Sequence, residues 1–311
     1  MQRREFIKQL SCGVLLLSAA PLVASGKACR TAKRKTLRFG VVSDAHYADR
    51  EMAIHRYYRQ SLDKMRAAVK VFNRSDLDFI VELGDLKDMG PGKDPAEALR
   101  FLDDIEQVLQ SFRGPVYHVL GNHDEDCISK TDFLSHTRNP RPCRGLGHYS
   151  FNVKGVRFIV LDANFNADMS DYDRGNFDWR SAWLPPEELA WLERELSAHP
   201  SSLTCVFVHQ MLDRFSDISK QLCVGNADDA VAILERHPQV AAVFQGHHHP
   251  GHYSFRNGIH YWTCSGMIEG EFPEHNAFAI VEVRPDGNIY IEGFGECQDR
   301  ELDTKPGGLI S

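Results

Sequence analysis

The feature that most constrains the fold of this 311-residue chain is a short apolar run that recurs five times and ends abruptly in polar residues. Each run is rich in β-branched or aromatic residues, which favours a buried strand. Helix-like segments with apolar residues at spacings of three and four lie between the first runs, at 54–72 and 95–112. Strands that alternate with helices predict an α/β fold. The five runs are LRFGVVSDAH, LDFIVELGD, GPVYHVLGNHD, LTCVFVHQ and VAAVFQGHHH.

The C-terminal part of the chain has a different pattern. HYSFRNGIHYWTCSG and NAFAIVEVRPDGNIYIEGF predict antiparallel strands, with a hairpin at 286–287 in the second segment. A further helix is predicted at PPEELAWLERELSAH, because proline and acidic residues favour a helix start. The combination predicts a two-sheet sandwich with helices outside. Ligands in such folds bind beyond the carboxyl ends of the strands, where every polar cluster stands.

Composition excludes some classes of protein. The formal charge of −7 is spread along the chain, and the body has no basic block, so we expect no nucleic-acid partner. Eight scattered cysteines form no C-x-x-C pair, which argues against a cysteine zinc site. Cys205 and Cys264 lie in strand-like runs, where a buried free thiol is expected. Spacing leaves disulfide pairing and the oligomeric state open.

The N-terminus resembles a bacterial twin-arginine export signal. Arg3 and Arg4 precede an apolar stretch from Leu10 to Ala24, which Pro21 interrupts. A membrane span needs about 20 apolar residues, so a retained anchor is the minority alternative. The sequence predicts an export signal at 1–28, a linker at 29–35, a folded domain at 36–300 and a tail at 301–311. We expect a periplasmic protein without a stable membrane span after the signal is removed.

The polar residues at the ends of the five runs suit a centre of two divalent metal ions. Such a centre needs imidazole nitrogens with carboxylate or amide oxygens, and one carboxylate can bridge both ions. Alternate residues of an extended segment point to one side, so Asp44 with His46, and His247 with His249, should each reach one site. His248 should point away. The candidates are Asp44, His46, Asp85, Asn122, His123, His209, His247 and His249.

This centre predicts phosphoester chemistry. Two divalent ions with two aspartates and neutral ligands keep a positive charge of about +2, which attracts an anionic substrate. A metal-bridging hydroxide would supply the nucleophile near neutral pH. We therefore expect a small-molecule phosphoester or nucleotide-diphosphate substrate.

The motifs resemble those of the calcineurin-like metallophosphoesterase family. They stand here as DAH at 44–46, GDLKD at 84–88, GNHD at 121–124, the later His209, and GHHH at 246–249. The resemblance implies a four-layer sandwich, with two mixed β-sheets flanked by helices. It also implies that His123 contacts the phosphoryl group and protonates the leaving oxygen, with Asp124 as its orienting partner. The implied ligands are Asp44, His46, Asp85 and His249 for the first metal, and Asp85, Asn122, His209 and His247 for the second.

Three further segments resemble the manganese-dependent ADP-ribose/CDP-alcohol diphosphatase branch of that family. They are HRYYRQSL, YSFNVKGVRFIVLDAN and GMIEGEFPEHNAFAIVEV. The resemblance implies cleavage of a pyrophosphate, with manganese as the metal and iron or zinc as alternatives. The chain departs from vertebrate members by lacking an insertion after VLDAN and by having His46 in place of glutamine. A phosphomonoesterase and a non-catalytic metal-dependent scaffold are the alternative functions.

Several other residues have open or structural interpretations. Asp88 is either a solvated loop residue, a helix cap or a partner of the site. Arg56 is expected on a packed helix face. His118 and His260 fall in strand-like runs and are expected to pack there, and His252 is expected at the surface or behind the ligands.

Overall fold

The computed structural model describes residues 35–304, and the predicted export signal lies outside the described residues. The helices are α1 (Ser61–Phe72), α2 (Pro95–Leu109), α3 (Lys130–His136), α4 (Pro186–Ala198) and α5 (Ala227–Glu235). The strands are β1 (Leu37–Val42), β2 (Phe79–Glu82), β3 (Val116–His118), β4 (Tyr149–Val153), β5 (Val156–Val160), β6 (Thr204–Phe207), β7 (Val240–Gln245), β8 (His252–Arg256), β9 (Ile259–Thr263), β10 (Ala277–Val283), β11 (Ile289–Gly295) and β12 (Arg300–Leu302).

The strands form two mixed sheets of six. The first has the order β12-β11-β10-β1-β2-β3, in which β1, β2 and β3 are parallel and the others antiparallel. The second has the order β4-β5-β6-β7-β9-β8, in which β5, β6, β7 and β9 are parallel. Each sheet therefore contains a block of parallel strands built from the buried apolar runs, on one side of the first sheet and in the middle of the second.

Aromatic side chains fill the space between the sheets. Phe39 of β1 stacks on Phe79 of β2 at 4.9 Å between ring centroids, and it meets Phe158, Phe207 and Phe244 of the other sheet edge-on at 5.6–5.8 Å. All five are buried. Such pairs stabilise a core beyond the area that they bury, by about 0.5–1.5 kcal/mol each.

The helices cover the outer faces of the sheets. Residues of α1, α2 and α3 form one apolar cluster with the outer face of the first sheet, and residues of α4 and α5 form another with the second sheet. The result is helix, sheet, sheet, helix, which confirms the predicted four-layer sandwich. No helix between residues 35 and 304 is long and apolar enough to cross a membrane.

Element boundaries differ from the sequence prediction in a few places. The helix expected at 54–72 begins only at Ser61, because the preceding residues pair with a distant loop, where Arg56 bridges Glu269. The hairpin at 286–287 is confirmed, with Gly287 at φ 97° between β10 and β11. Strand β12 continues two residues past the domain boundary expected at 300.

The six cysteines in the described part of the chain are free and buried. They include Cys205 and Cys264, as expected. The sulfur atoms of Cys264 and Cys297 lie 3.6 Å apart between the two sheets. Cys12 and Cys29 lie outside the described residues.

Candidate metal centre

Every candidate residue lies shortly past the end of a strand. Strands β1, β2 and β3 are parallel neighbours in one sheet, and β6 and β7 are parallel neighbours in the other. Loops that leave the carboxyl ends of parallel strands converge at one edge. The candidates are Asp44 and His46 after β1, Asp85 after β2, Asn122 and His123 after β3, His209 after β6, and His247 and His249 after β7.

The loops that carry these residues are not extended, so the expected alternation of side chains does not explain the site. Asp44, His46, Asp85 and His247 have φ angles of 52°, 47°, 57° and 67°. This left-handed conformation costs on the order of 1–3 kcal/mol for a residue with a side chain and clusters at functional sites. Backbone hydrogen bonds hold it, since the amides of Asp44 and His46 donate to the carbonyls of Gly84 and Asp85 at 3.0 and 2.8 Å.

Glycine permits the close approach of two of these loops. A Cβ atom on Gly246 would overlap the Ser43 hydroxyl and come within 3.0 Å of Asp44 and His209 side-chain atoms. Gly246 therefore precedes His247 because no larger residue fits between the ligand-bearing loops.

The first cluster contains Asp44, His46 and His249, whose ligand atoms lie within 4.8 Å of one another. The His249 Nε2 atom is 3.3 Å from Asp44 Oδ1 and 3.2 Å from His46 Nε2. Two hydrogen bonds orient the Asp44 carboxylate, which accepts from the Ser43 hydroxyl at 2.5 Å and from the His247 amide at 3.1 Å. Three ligand atoms thus converge on one point.

The second cluster contains Asp85, His209 and His247, again within 4.8 Å of one another. The His209 Nε2 atom is 3.2 Å from Asp85 Oδ2, and the rings of His209 and His247 are 5.1 Å apart. Asn122 is buried, and the amide of the next residue, His123, donates to Asp85 Oδ1 at 2.7 Å.

Asp85 lies between the two clusters. Its Oδ2 atom is 3.5 Å from His46 Nε2 in the first cluster and 3.2 Å from His209 Nε2 in the second. One carboxylate oxygen therefore faces an imidazole from each cluster, which is the arrangement of a carboxylate that bridges two cations.

The donor atoms fit two divalent cations. Asn122 Oδ1, His209 Nε2 and His247 Nε2 are buried and have no hydrogen-bond partner. Buried polar atoms are nearly always satisfied, so three such atoms beside one carboxylate indicate a ligand site. Imidazole nitrogens with carboxylate and amide oxygens accept manganese, iron or zinc.

The four candidate imidazole ligands fall into two pairs by their pKa values. Burial, as the main cause, lowers the pKa of His46 to about 4 and of His247 to about 3, so both imidazoles are neutral at pH 7. Burial also opposes ionisation of Asp44, but the hydrogen bond and charge of His249 outweigh it and hold the pKa of Asp44 below its usual value. Burial also lowers the pKa of His209 and His249, but the charge of Asp85 outweighs it and raises the pKa of His209 to about 10, and the hydrogen bond and charge of Asp44 raise that of His249. Since metals bind neutral imidazoles, cation binding would release the protons of these two rings.

The second nitrogen of each of three ligand imidazoles faces an oxygen. His249 Nδ1 lies 2.6 Å from Glu269 Oε1, His209 Nδ1 lies 2.7 Å from the Leu83 carbonyl oxygen, and His46 Nδ1 lies 3.5 Å from an Asp88 oxygen. Such partners fix the ring orientation and the tautomer. Sequence reasoning did not single out Glu269, whose only signal was its place in the GMIEGEF segment.

His123 has partners other than the one expected. Its Nδ1 atom lies 3.4 Å from Asp88 and 3.6 Å from Asp126. Although burial lowers the pKa of His123, the charges of Asp85 and Asp88 outweigh it and raise that pKa well above the usual value. A protonated, partly exposed imidazole at this place can donate a proton.

Asp124 therefore does not orient His123, which corrects the expectation from the sequence. Its carboxylate instead accepts backbone amides from Asp85 at 3.0 Å, Leu86 at 2.9 Å and Gly121 at 2.9 Å. Asp124 is buried and ties the loop after β2 to the loop after β3. Among the interpretations left open for Asp88, the structure selects the partner of the site, since it faces both His46 and His123.

The remaining histidines of interest lie away from the two clusters. His248 is partly exposed and neighbours His252, whose Nε2 atom lies 3.5 Å from buried Asp213. His260 is buried against Tyr253, as expected for a strand residue. Arg56 lies in a loop rather than on a helix.

The chain matches the calcineurin-like phosphoesterase family over residues 37–251, more than half of its length. It therefore belongs to that family, and its class is that of the metal-dependent hydrolases of phosphoric esters. The class explains why buried imidazoles and carboxylates converge where the strands end.

Two relatives by sequence and one by structure show in more detail what the chain is similar to. The manganese-dependent ADP-ribose/CDP-alcohol diphosphatase of Xenopus tropicalis is 27% identical, over 85% of this chain and 93% of its own. The enzyme of that name from Oryza sativa is 26% identical, over 91% of this chain and 99% of its own. A dimetal phosphatase from Danio rerio shares the fold with a TM-score of 0.74 and 23% identity, over 86% of this chain and 99% of its own. These findings confirm the predicted family and fold.

Proposed function

We propose that this protein hydrolyses the pyrophosphate bond of nucleotide-diphosphate compounds of the ADP-ribose or CDP-alcohol type, with manganese as the preferred metal. The observation that carries the metal chemistry is the position of Asp85, whose Oδ2 atom lies within 3.5 Å of an imidazole from each cluster. The names of the relatives described above support the substrate class.

The two clusters would hold one cation each. Asp44, His46 and His249 would bind the first, Asn122, His209 and His247 the second, and Asp85 both. When bound, two divalent cations would neutralise charge on the phosphoryl oxygens and lower the pKa of water, so that a hydroxide nucleophile is available at neutral pH.

The chain's own residues would complete the reaction. His123 is proposed to contact the phosphoryl group and to give a proton to the leaving oxygen from its exposed side. Asp88 holds His123 Nδ1 at 3.4 Å and also faces His46, so one carboxylate orients the proton donor and a metal ligand together.

A cavity beside the centre favours a pyrophosphate over a small phosphomonoester. Its volume is about 700 Å³, and His55, His249, Ser265, Glu269 and His275 are among its lining residues. Sites for drug-sized ligands occupy about 300–1,000 Å³, so a nucleotide-diphosphate arm can be accommodated next to His249. A phosphomonoester would leave most of this space to water.

The test combines metal analysis with a substrate panel on one preparation. We expect about two metal ions per chain, loss of turnover on chelation, recovery with Mn²⁺, and faster hydrolysis of ADP-ribose and CDP-choline than of p-nitrophenyl phosphate. Faster hydrolysis of the monoester would establish the phosphomonoesterase alternative. Two bound metals without turnover of any substrate would establish the scaffold alternative.

A leaving-group series tests the role of His123. His123→Ala should retain both metals and lose turnover, and the loss should shrink for substrates with acidic leaving groups, because these need no proton. A loss that is independent of the leaving group would contradict the proposed acid.

Export is proposed on the N-terminal sequence alone. Replacing Arg3 and Arg4 by lysine should keep the protein in the cytoplasm of a bacterial host with a twin-arginine pathway, whereas the unmodified chain should reach the periplasm. Equal distribution of both chains would reject the export proposal without affecting the catalytic one.

A further inference from the structure

An exposed indole lies beside the second cluster. Trp179 has 44% of its surface exposed, and its ring centroid is 6.0 Å from the ring of His247. Large apolar side chains in the described residues are mostly buried, and an exposed one next to a reactive centre is informative.

The chain fixes the segment that presents this indole. The Trp183 amide donates a hydrogen bond to the Ala163 carbonyl at 3.1 Å, and the Gly225 amide donates to the Ala182 carbonyl at 2.7 Å. Leu184 is fully buried. Trp179 therefore stands at the edge of the centre on an anchored loop, so its position costs little additional ordering when a ligand binds.

The charges around Trp179 favour a planar neutral group over a phosphate. Arg180 has its guanidinium 5.9 Å from the Trp179 ring centroid, but Asp178 accepts hydrogen bonds from that guanidinium at 2.8 and 2.7 Å. The Asp178–Arg180 ion pair is neutral overall, so the face of the Trp179 indole is left to contact a ligand. Aromatic side chains bind bases by stacking, with little dependence on base identity.

We propose that Trp179 is a nucleobase-stacking residue that helps to select nucleotide substrates. The proposal rests on the proposed function and extends it to the substrate's base. Trp179 adjoins His247 of the second cluster, whereas the cavity of about 700 Å³ adjoins His249 of the first. A pyrophosphate at the centre would then place its base against Trp179 and its other arm in the cavity.

The experiment compares Trp179→Ala and Trp179→Phe with a matched control, Phe255→Ala. Phe255 is also exposed, at 54%, but it packs against His260 on β8 and β9 rather than at the centre. The substrates are ADP-ribose and a dialkyl pyrophosphate, which has the same reacting group and no base.

Trp179→Ala should raise KM for ADP-ribose roughly 10-fold or more and leave kcat and the dialkyl pyrophosphate kinetics within about twofold. Trp179→Phe should recover most of the affinity, and Phe255→Ala should behave as the unmodified protein. Calorimetry gives a readout independent of turnover: the alanine variant should bind AMP more weakly but ribose 5-phosphate equally well. Metal content and the thermal unfolding midpoint should not change.

An equal loss for both substrates, or a lower metal content, would overturn the proposal and show that the indole shields His247. Unchanged binding of AMP and ADP-ribose would also overturn it. If the unmodified protein cleaved neither pyrophosphate, the proposed function would fail, and the AMP and ribose 5-phosphate comparison would still decide whether Trp179 binds a base.

Discussion

Strands β2 and β3 each contribute to two buried clusters of histidine and carboxylate groups, one inside the sheet and one beyond its edge. In the sheet, Glu82 of β2 lies opposite His118 of β3 in the strand register. His118 Nδ1 lies 3.3 Å from Glu82, and Nε2 lies 3.1 Å from Glu106 of α2. Three and four residues further along the chain, in the loops after these strands, Asp85 and Asn122 belong to the metal centre.

The two clusters differ in how their histidine charges are balanced. Burial lowers the pKa of His118, but Glu106 and then Glu82 outweigh it and raise that pKa to about 10, so the imidazolium balances two carboxylates. At the metal centre, burial lowers the pKa of His46 to about 4, and the imidazole stays neutral. In the closed cluster the imidazolium is enclosed by carboxylates, whereas the centre combines the neutral imidazoles of His46 and His247 with His209, whose pKa Asp85 raises to about 10, so a divalent cation can replace a proton there.

The clusters are also physically linked. Glu82, held by His118, accepts a hydrogen bond at 2.7 Å from the amide of Gly84, the residue before Asp85. The closed cluster therefore supports the loop that carries the bridging ligand, while remaining outside the chemistry.

The sharpest test of the comparison is Asp85→Asn. It removes the carboxylate that lies between both sets of ligands, together with one negative charge, so we expect turnover to fall by more than the roughly 10- to 100-fold typical of groups that merely orient a ligand. Metal content should fall below two ions per chain. A variant that retains two ions and normal turnover would contradict the bridging role.

The opposite result is expected for His118→Gln. Removing one member of a buried charge cluster costs about 3–5 kcal/mol of unfolding free energy, because the carboxylates lose their counter-charge. The folded fraction should keep its metals and most of its turnover. Denaturant unfolding with parallel metal analysis measures both effects, and a loss of metal equal to that of Asp85→Asn would remove the distinction between the clusters.

Asp88→Asn tests the orienting partner at the centre. Asp88 faces both His46 and His123, so we expect turnover to fall about 10- to 100-fold. Glu106→Gln is the control, since it alters a buried carboxylate of the closed cluster and should affect stability more than turnover. Equal effects on turnover would show that the loss from Asp88→Asn reflects general destabilisation.

A pH series tests how protonation of His118 in the closed cluster is linked to the free energy of unfolding. The pKa of His118 is raised from an unfolded value near 6.5 to about 10, so its contribution is complete below about pH 6.5 and is lost as pH rises through 10. The stability difference between the unmodified protein and His118→Gln should shrink with rising pH by up to about 1.4 kcal/mol per pH unit. A difference that grows with pH would show the opposite linkage. Both proteins should be measured with metal present.

The smallest effect is expected at His248, which lies between two candidate ligands. It is partly exposed and belongs to neither cluster, so His248→Ala should change turnover less than about twofold. A loss comparable to that of His247→Ala, measured on the same preparation, would require a new assignment for the histidine run.

Much of the fold could be predicted because its signals are local. Apolar runs closed by polar residues marked the central strands, and proline with acidic residues marked the start of α4. The late start of α1 at Ser61 could not be predicted, since it depends on pairing of Arg56 with Glu269, far away in the chain. Helix propensity is weak enough for such contacts to override it.

The supporting residues of the site were harder to predict than the candidate ligands. Asp88 and Asp124 are both acidic residues in loops after neighbouring strands, and the sequence does not show which one faces His123. The turn after β3 directs Asp124 to the backbone amides of Asp85 and Leu86, which leaves the His123 ring to Asp88 and Asp126. Hydrogen-bond satisfaction of buried amides decides such details, and it is a three-dimensional property.

The sequence by itself determined the strand ends, the types of donor residue that follow them and the family, because these are written in short segments. The family resemblance implied which residues would share each metal, but only the tertiary structure decided how they meet: His249 lies 3.3 Å from Asp44, Asp85 faces an imidazole of each cluster, and Trp179 stands beside His247. The physical reason is that β1 and β7 belong to different sheets, whose edges meet only when the core between them packs. Locked left-handed turns then set the direction of each ligand side chain.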